Sequence, residues 1–262
     1  MTNTKATLDA LYKDVYADKI DDLRPDFSRL LKEIPFREAK RTGRDYVQPV
    51  MLTHEQGFTY GQGLQTIVSA IDADVDDAKV RGNSLLLQSA FSYDAAANMA
   101  SSKGAFISAT KYRFKNMMAS ASARLESQLI YGGEGVGLGQ TSGTANSSST
   151  VTVATLTAAT WGPGIWSGSE DATLDAYDGV TKVNTNAVLS IDSIDHASRT
   201  LTVSGNSTDI AAIDLINGDG SAIDFYWAGS YGNEMVGLRS IVSNTGTLFG
   251  VNGANYSLWK GN

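Results

Sequence analysis

Gly133-Glu-Gly-Val-Gly-Leu-Gly is the stretch whose residue types most suggest a chemical device, a glycine loop able to wrap a phosphate. Such loops follow a strand and open a helix, so that amide N–H groups and the positive helix end face the anion. This one follows the C-terminal end of a long helical pattern, where the partial charge is negative. The spacing therefore predicts a flexible loop rather than a nucleotide site. His54 and His196 are the two histidines, far apart and without HxxxH or HExxH spacing, which argues against zinc. Asp72, Asp74, Asp76 and Asp77 form an acidic run without the glycine and distal Glu of a calcium loop, so a solvated face is the expectation. Asn217-Gly-Asp-Gly reads as a turn. Serines and aspartates abound, but no GxSxG elbow marks a nucleophile. Trp161, Trp166, Trp227 and Trp259 could stack on a ligand or fill a core or interface. No catalytic, cofactor or metal constellation emerges, and the chain is not expected to be an enzyme.

The elements around these residues are more distinctive. Lys103 to Tyr131 is one long helical pattern, with apolar or small residues at Phe106, Ile107, Thr110, Phe114, Met117, Met118, Ala121, Leu125 and Leu129. Ser101 and Ser102 are available as N-cap, and Gly132-Gly133 closes the pattern. At 1.5 Å per residue, about 28 residues would run roughly 42 Å. With no second long helix to pair with, the segment reads as a beam rather than one member of a bundle.

Before it, residues 4–34 read as two short helices, Thr7 to Tyr16 and Asp22 to Ile34, and Arg37 to Arg44 as a basic connector. These helices either form an arm that docks on a neighbouring subunit or pack locally on the main domain. Tyr46 to Leu52 is strand-like, Gly57 to Gly63 turn-rich, and Ser84 to Phe91 a second strand-like run. Together they predict a long two-stranded excursion, marginal in water without something to lie on. After the helix, Gly132 to Thr150 is rich in Gly, Ser, Thr and Ala and reads as a linker or mobile loop. From Thr150 the alternation is β, with strand patterns at Thr150–Leu156, Ala187–Ile194, Thr200–Ser204 and Ile223–Trp227.

With 262 residues, 42% hydrophobic and 19% charged, the chain can bury a sizeable core. It has no cysteine, which excludes disulfides and thiolate chemistry. The N-terminus lacks a signal-peptide pattern and no window is apolar enough for a membrane span, so a soluble, intracellularly made protein is expected. Residues 1–131 carry 17 Lys/Arg against 16 Asp/Glu, and 132–262 carry 4 against 12. That acidic second half argues against a sequence-specific nucleic-acid reader, while weak electrostatic contact along the helix stays open.

The order of parts resembles the HK97-fold major capsid proteins of tailed bacteriophages. The run Met235-Val-Gly-Leu-Arg-Ser-Ile-Val-Ser-Asn-Thr-Gly-Thr-Leu-Phe-Gly-Val, with Tyr256-Ser-Leu-Trp-Lys-Gly-Asn, is similar to the segment preceding the axial domain in many such coats. The resemblance implies an α+β fold. Its parts would be an N-arm with short helices (1–45), an extended E-loop (46–100) and a P-domain spine helix with a Gly/Ser-rich loop (101–149). A β-rich insertion (150–227) and a return to the P-domain (228–262) would follow. The chain stops at Asn262, so the expectation is a coat chain lacking the axial domain or part of a longer one.

The function it implies is a structural subunit that self-assembles into an icosahedral shell enclosing double-stranded DNA, without cofactors. Its partners would be copies of itself, then scaffolding, portal or decoration proteins, and packaged DNA by proximity. Assembly would take place in the host cytoplasm and the product would be the virion. Phe58, Tyr60, Leu85 and Leu86 are the candidate intersubunit contacts. The alternative is a carbohydrate- or cell-surface-binding β-module of a tail or fibre component, with Trp161, Trp166 and Tyr177 as its aromatic residues.

Overall fold

The computed structural model describes residues 29–34, 45–61, 69–88, 103–133 and 135–261. The helix expected at Thr7–Tyr16, the connector Arg37–Arg44 and the Ser101–Ser102 cap lie outside the described residues. So do the side chains of Phe106, Ile107 and Thr110.

Residues 139–227 form a seven-stranded antiparallel sheet: β3 (Gly139–Ser148), β4 (Val151–Leu156), β5 (Thr173–Asp178), β6 (Thr181–Lys182), β7 (Leu189–Asp195), β8 (Thr200–Ser204) and β9 (Asp224–Trp227). Its order is β6, β5, β7, β8, β4, β3, β9, and β5 also pairs with β9, so the ladder returns on itself. Alternation drives the fold. In β4 and β8 every second residue is buried, which sends Ala154, Leu156, Leu201 and Val203 inward. Leu174, Leu189, Ile191, Phe225 and Trp166 complete a core with zero exposure.

A helix that the sequence reading missed, Ser207–Gly218, packs on β3 and β4. Its signal was present: the Asn206 side chain accepts from the Thr208 N–H at 2.9 Å, and Asp209 stands in the first turn. Ile210 and Ile213 are fully buried against the sheet. The Thr152 hydroxyl donates to Asp214 at 2.7 Å, and Asn217 Nδ2 donates to Thr141 Oγ1 at 2.6 Å, which fixes the register of helix on sheet. Buried Asp209 accepts from the N–H groups of Asn186 and Ala187 and so ties the entry of β7 to the helix start.

The HK97-like arrangement is overturned. Among the described residues the main core sits in the closed antiparallel sheet, and no spine helix lies across that sheet. Lys103–Tyr131 is helical over 29 residues, but it does not carry a sheet. Phe114 and Met118 on its stripe are 64% and 69% exposed, while among its described side chains the buried ones are Glu126 and Gln128. It touches the short helices Arg29–Glu33 and Leu238–Val242. Periodicity reveals which side of a helix is apolar, not whether anything lies on it. The Gly/Ser-rich linker is also corrected. Residues 139–148 form the long strand β3, paired with β4 through two irregularities of register and with β9 at its start. Small polar residues satisfy a ladder as well as larger ones when their neighbours supply the burial.

A buried carboxylate marks the closing seam. Asp175 in β5 is 2% exposed. It receives Lys182 Nζ at 2.8 Å, the Gly229 N–H at 2.8 Å and Asn184 Nδ2 at 3.1 Å. Burial pushes this carboxyl up, yet the three donors outweigh it and hold the group below its ordinary range. A depressed carboxylate stabilises the fold above its unfolded value, and that contribution is lost as pH falls through the folded value. Asp175→Asn should therefore cost about 2 kcal/mol at neutral pH. The gap to the parent in denaturant unfolding should narrow as pH drops below about 4. A gap that stays constant from pH 7 to pH 3 would show that the charge at the seam is irrelevant.

Candidate functional site

A two-stranded ribbon stands apart from the sheet. β1 (Tyr46–Met51) pairs antiparallel with β2 (Val75–Val80), from Tyr46 opposite Val80 to Met51 opposite Val75. The excursion expected from the sequence is present, but its second strand is Val75–Val80 rather than Ser84–Phe91. Described residues 84–88 form no strand. The acidic composition of VDDAKV hid it, because both faces of the ribbon are largely solvated and the usual in–out alternation is missing. Beyond β1 the pairing continues through Leu52 N–H to Asp74 O at 2.8 Å and Gln56 N–H to Ile71 O at 3.1 Å.

The ribbon is held by the chain's end. Leu52 and Ala78 are buried with Val251, and Val50, Phe249, Tyr256 and Trp259 pack around them. The Lys79 N–H donates to Phe249 O at 2.7 Å, and the Tyr256 hydroxyl donates to Asp74. Arg81 and Asp45 pair at 2.9 Å across the base, exposed enough to contribute little. Residues 228–261 thus clamp the ribbon on one side and, on the other, the C-terminal end of the long helix. There the Gly237 N–H donates to Gly132 O at 2.6 Å, and Glu234 accepts from the Gly133 N–H at 3.2 Å. Burial pushes the Glu234 carboxyl above its ordinary value, against that N–H and the charge of Arg124.

Phe58, Tyr60, Leu85 and Leu86 are 68%, 93%, 54% and 90% exposed. They fall into two groups at opposite ends of the ribbon, Phe58 and Tyr60 beyond Met51 and Leu85 and Leu86 beyond Val80. Ile71 joins the first group and Leu87 the second, both at least half exposed. Asn83 Nδ2 donates to Asn233 O at 2.8 Å, which fixes the start of the second group beside the clamp.

His54 is exposed, and His196 is exposed with its ring edge-on to Trp161. The acidic run lies in and before β2, and no cluster of metal-ligating residues occurs among the described residues. Where the sequence suggests a flexible glycine loop, residues 135–139 lead into the sheet: the Leu138 N–H donates to Phe225 O at 2.8 Å and Gly139 opens β3. Trp166 is fully buried and unavailable to a ligand, and Trp161 is half-buried and stacked on it. Tyr177 stacks on Tyr231 at 4.1 Å.

Sequence reasoning missed a cleft of about 460 Å³ between the long helix and the sheet domain. One wall is the helix face Ser120, Ala123, Arg124 and Ser127, and the other is the turn Gly168–Ala172. Its floor includes Ile165 and Trp227. The Arg124 guanidinium lies over the Trp227 ring, 3.5 Å from its centroid. Nothing in the sequence places residue 124 beside residue 227.

The joint at Gly132 and Gly237 is backbone against backbone. A Cβ on Gly237 would lie 2.7 Å from Gly132 N and 2.8 Å from Gln128 O. Gly237→Ala should destabilise the fold by about 1–3 kcal/mol and hasten proteolysis of the C-terminal clamp. An unchanged melting temperature and digestion pattern would mean that the joint is not closed in solution. No family model, curated protein or solved structure matches this chain.

Proposed function

We propose that this chain is a structural subunit of a bacteriophage icosahedral shell, which self-assembles around double-stranded DNA. The observation that carries the reading is the ribbon, a two-stranded element whose apolar residues at both ends are left half or more exposed by the described residues. A large side chain moved from water to a packed interface gains about 1.5–3 kcal/mol. Six such side chains in two groups form a surface that a second subunit would bury. A two-stranded ribbon is marginal by itself, and here the clamp of residues 247–259 holds only its middle. The phage setting rests on the resemblance of the Met235–Val251 run read from the sequence alone, and the proposal does not need the HK97 fold. The acidic balance of residues 132–262 favours placing the sheet domain away from the DNA.

The glycan-binding alternative keeps Trp161 and Tyr177 as half-buried aromatics but loses Trp166 to the core. It has the weaker surface.

The double variant Tyr60→Asp, Leu86→Asp changes two side chains that are more than nine-tenths or about nine-tenths exposed. Its unfolding free energy should stay within about 0.5 kcal/mol of the parent. Its assembly, followed by light scattering and negative-stain microscopy, should require about tenfold more protein or fail. Normal particles from the variant, or a parent that stays monodisperse under every assembly condition, would reject the shell reading.

A further inference from the structure

We infer that Tyr177 and Tyr231 are a modification site, where a one-electron oxidant of the peroxidase class joins the two phenol rings as dityrosine. The rings lie stacked, with centroids 4.1 Å apart and planes 20° from parallel. Both are half-buried, so each ring keeps part of its surface open to solvent. The chain has 11 tyrosines and no cysteine, so a covalent tie between distant side chains needs a chemistry other than a disulfide. The stack is built by the closing seam. Asp175 pairs with Tyr226 and Tyr177 with Asp224, which makes Tyr177 and Tyr226 diagonal neighbours on one face. Tyr231 arrives from the turn that leaves β9. There Gly229 and Gly232 take φ of 74° and 69°, which lets the backbone fold back over the strand. The turn is tied down. The Gly229 N–H donates to Asp175 Oδ2 at 2.8 Å, the Ser230 N–H to Trp227 O at 2.9 Å and the Asn233 N–H to Ser230 O at 2.8 Å.

Two phenoxyl radicals couple at their ortho carbons, and the new bond forms along the π orbitals, perpendicular to both rings. A face-to-face pair held in place meets that requirement, and an edge-on pair does not. Tyr226 supplies the contrast. It is 3% exposed, donates to Gly135 O at 3.0 Å and stands edge-on to Tyr177 and Tyr231 at 5.3 and 5.0 Å. In the reaction each phenol gives up one electron and its hydroxyl proton. One carbon–carbon bond forms, and the hydrogen on each joined carbon moves to its oxygen, which restores two phenols. With hydrogen peroxide as terminal oxidant, the two hydrogen atoms removed and one peroxide become two waters. The product ties β5 to the turn after β9, across the pairing that closes the sheet, and so staples the closed form. The site stands apart from the shell reading, and either can fail without the other.

The test treats the dilute full chain with a haem peroxidase and hydrogen peroxide. The monomer should gain dityrosine fluorescence and lose the mass of two hydrogens, and peptide mapping should join the segments that hold Tyr177 and Tyr231. Native chain should couple about tenfold faster or more than urea-unfolded chain, because the fold holds the rings together. Tyr231→Phe keeps the ring and removes the phenol, so it should lose the intrachain product. Tyr226→Phe should retain it, with circular dichroism checking that both variants fold. Tyr60 is 93% exposed and should couple only between chains, giving dimers that fade on dilution. The coupled chain should melt higher than Tyr231→Phe treated in the same way, since a cross-link between distant residues restricts the unfolded chain. The inference is overturned if no intrachain product forms, if it maps to other tyrosines or survives Tyr231→Phe, or if folded and unfolded chains couple equally fast. A melting temperature no higher than that of the treated variant would overturn the staple.

Discussion

Everything in this molecule hangs on the pairing of β5 with β9, which turns an open antiparallel sheet into a closed one. An open sheet of these short strands would expose two edges of unpaired N–H and C=O groups. Closure removes both, and it does so at a strand that carries a buried carboxylate. Asp175 has three donors around it, and one of them, the Gly229 N–H, belongs to the turn that leaves β9. The charge therefore ties together the two strands that close the ring. From the same strand, Phe225 O receives the Leu138 N–H, so the connector arriving from the long helix is fixed by β9 as well. At its far end β9 presents Trp227 to Arg124 of the helix. One four-residue strand thus closes the sheet, seats the connector and docks the helix.

What the sequence made legible follows from which signals are local. Alternation in Val151–Leu156 and Thr200–Ser204 is local, and those strands stand where the pattern puts them. Helical spacing in Lys103–Tyr131 is local too, and the segment is a helix. The partner of that helix is a non-local fact. The stripe at Phe114 and Met118 invites a covering sheet, but the helix meets the closed sheet near its C-terminal end, through Arg124 on Trp227 and Tyr131 beside the core, and leaves those two side chains exposed. The Gly/Ser-rich run 139–148 misled for a related reason: its residues have low intrinsic strand preference, and their conformation is imposed by β4 on one side and β9 on the other. The Ser207–Gly218 helix has local signals at both ends, Asn206 and Asp209 at its start and the Asn217-Gly-Asp-Gly turn at its close, but its packing on β3 and β4 is non-local.

The candidate surfaces differ in the same way. Phe58, Tyr60, Leu85 and Leu86 were readable because apolar residues in a thin, glycine-bearing excursion have no core of their own to enter. Their division between the two ends of the ribbon was not readable, since it depends on β2 being Val75–Val80. The cleft was invisible. It is made by residues around 124 and 165–172, with Trp227, which only the closed sheet brings together.

Exposed apolar area is non-directional, and the free energy of covering it grows with the area covered. Phe58, Tyr60, Leu85 and Leu86 offer such area at the two ends of the ribbon. Buried polar atoms without partners act oppositely. Glu126 Oε2 and Trp227 Nε1 are enclosed and unpaired, so each costs the fold stability rather than offering a contact at its surface. The apolar core of the closed sheet is the term large enough to offset that cost, and that core depends on the strand pairing that closes the sheet.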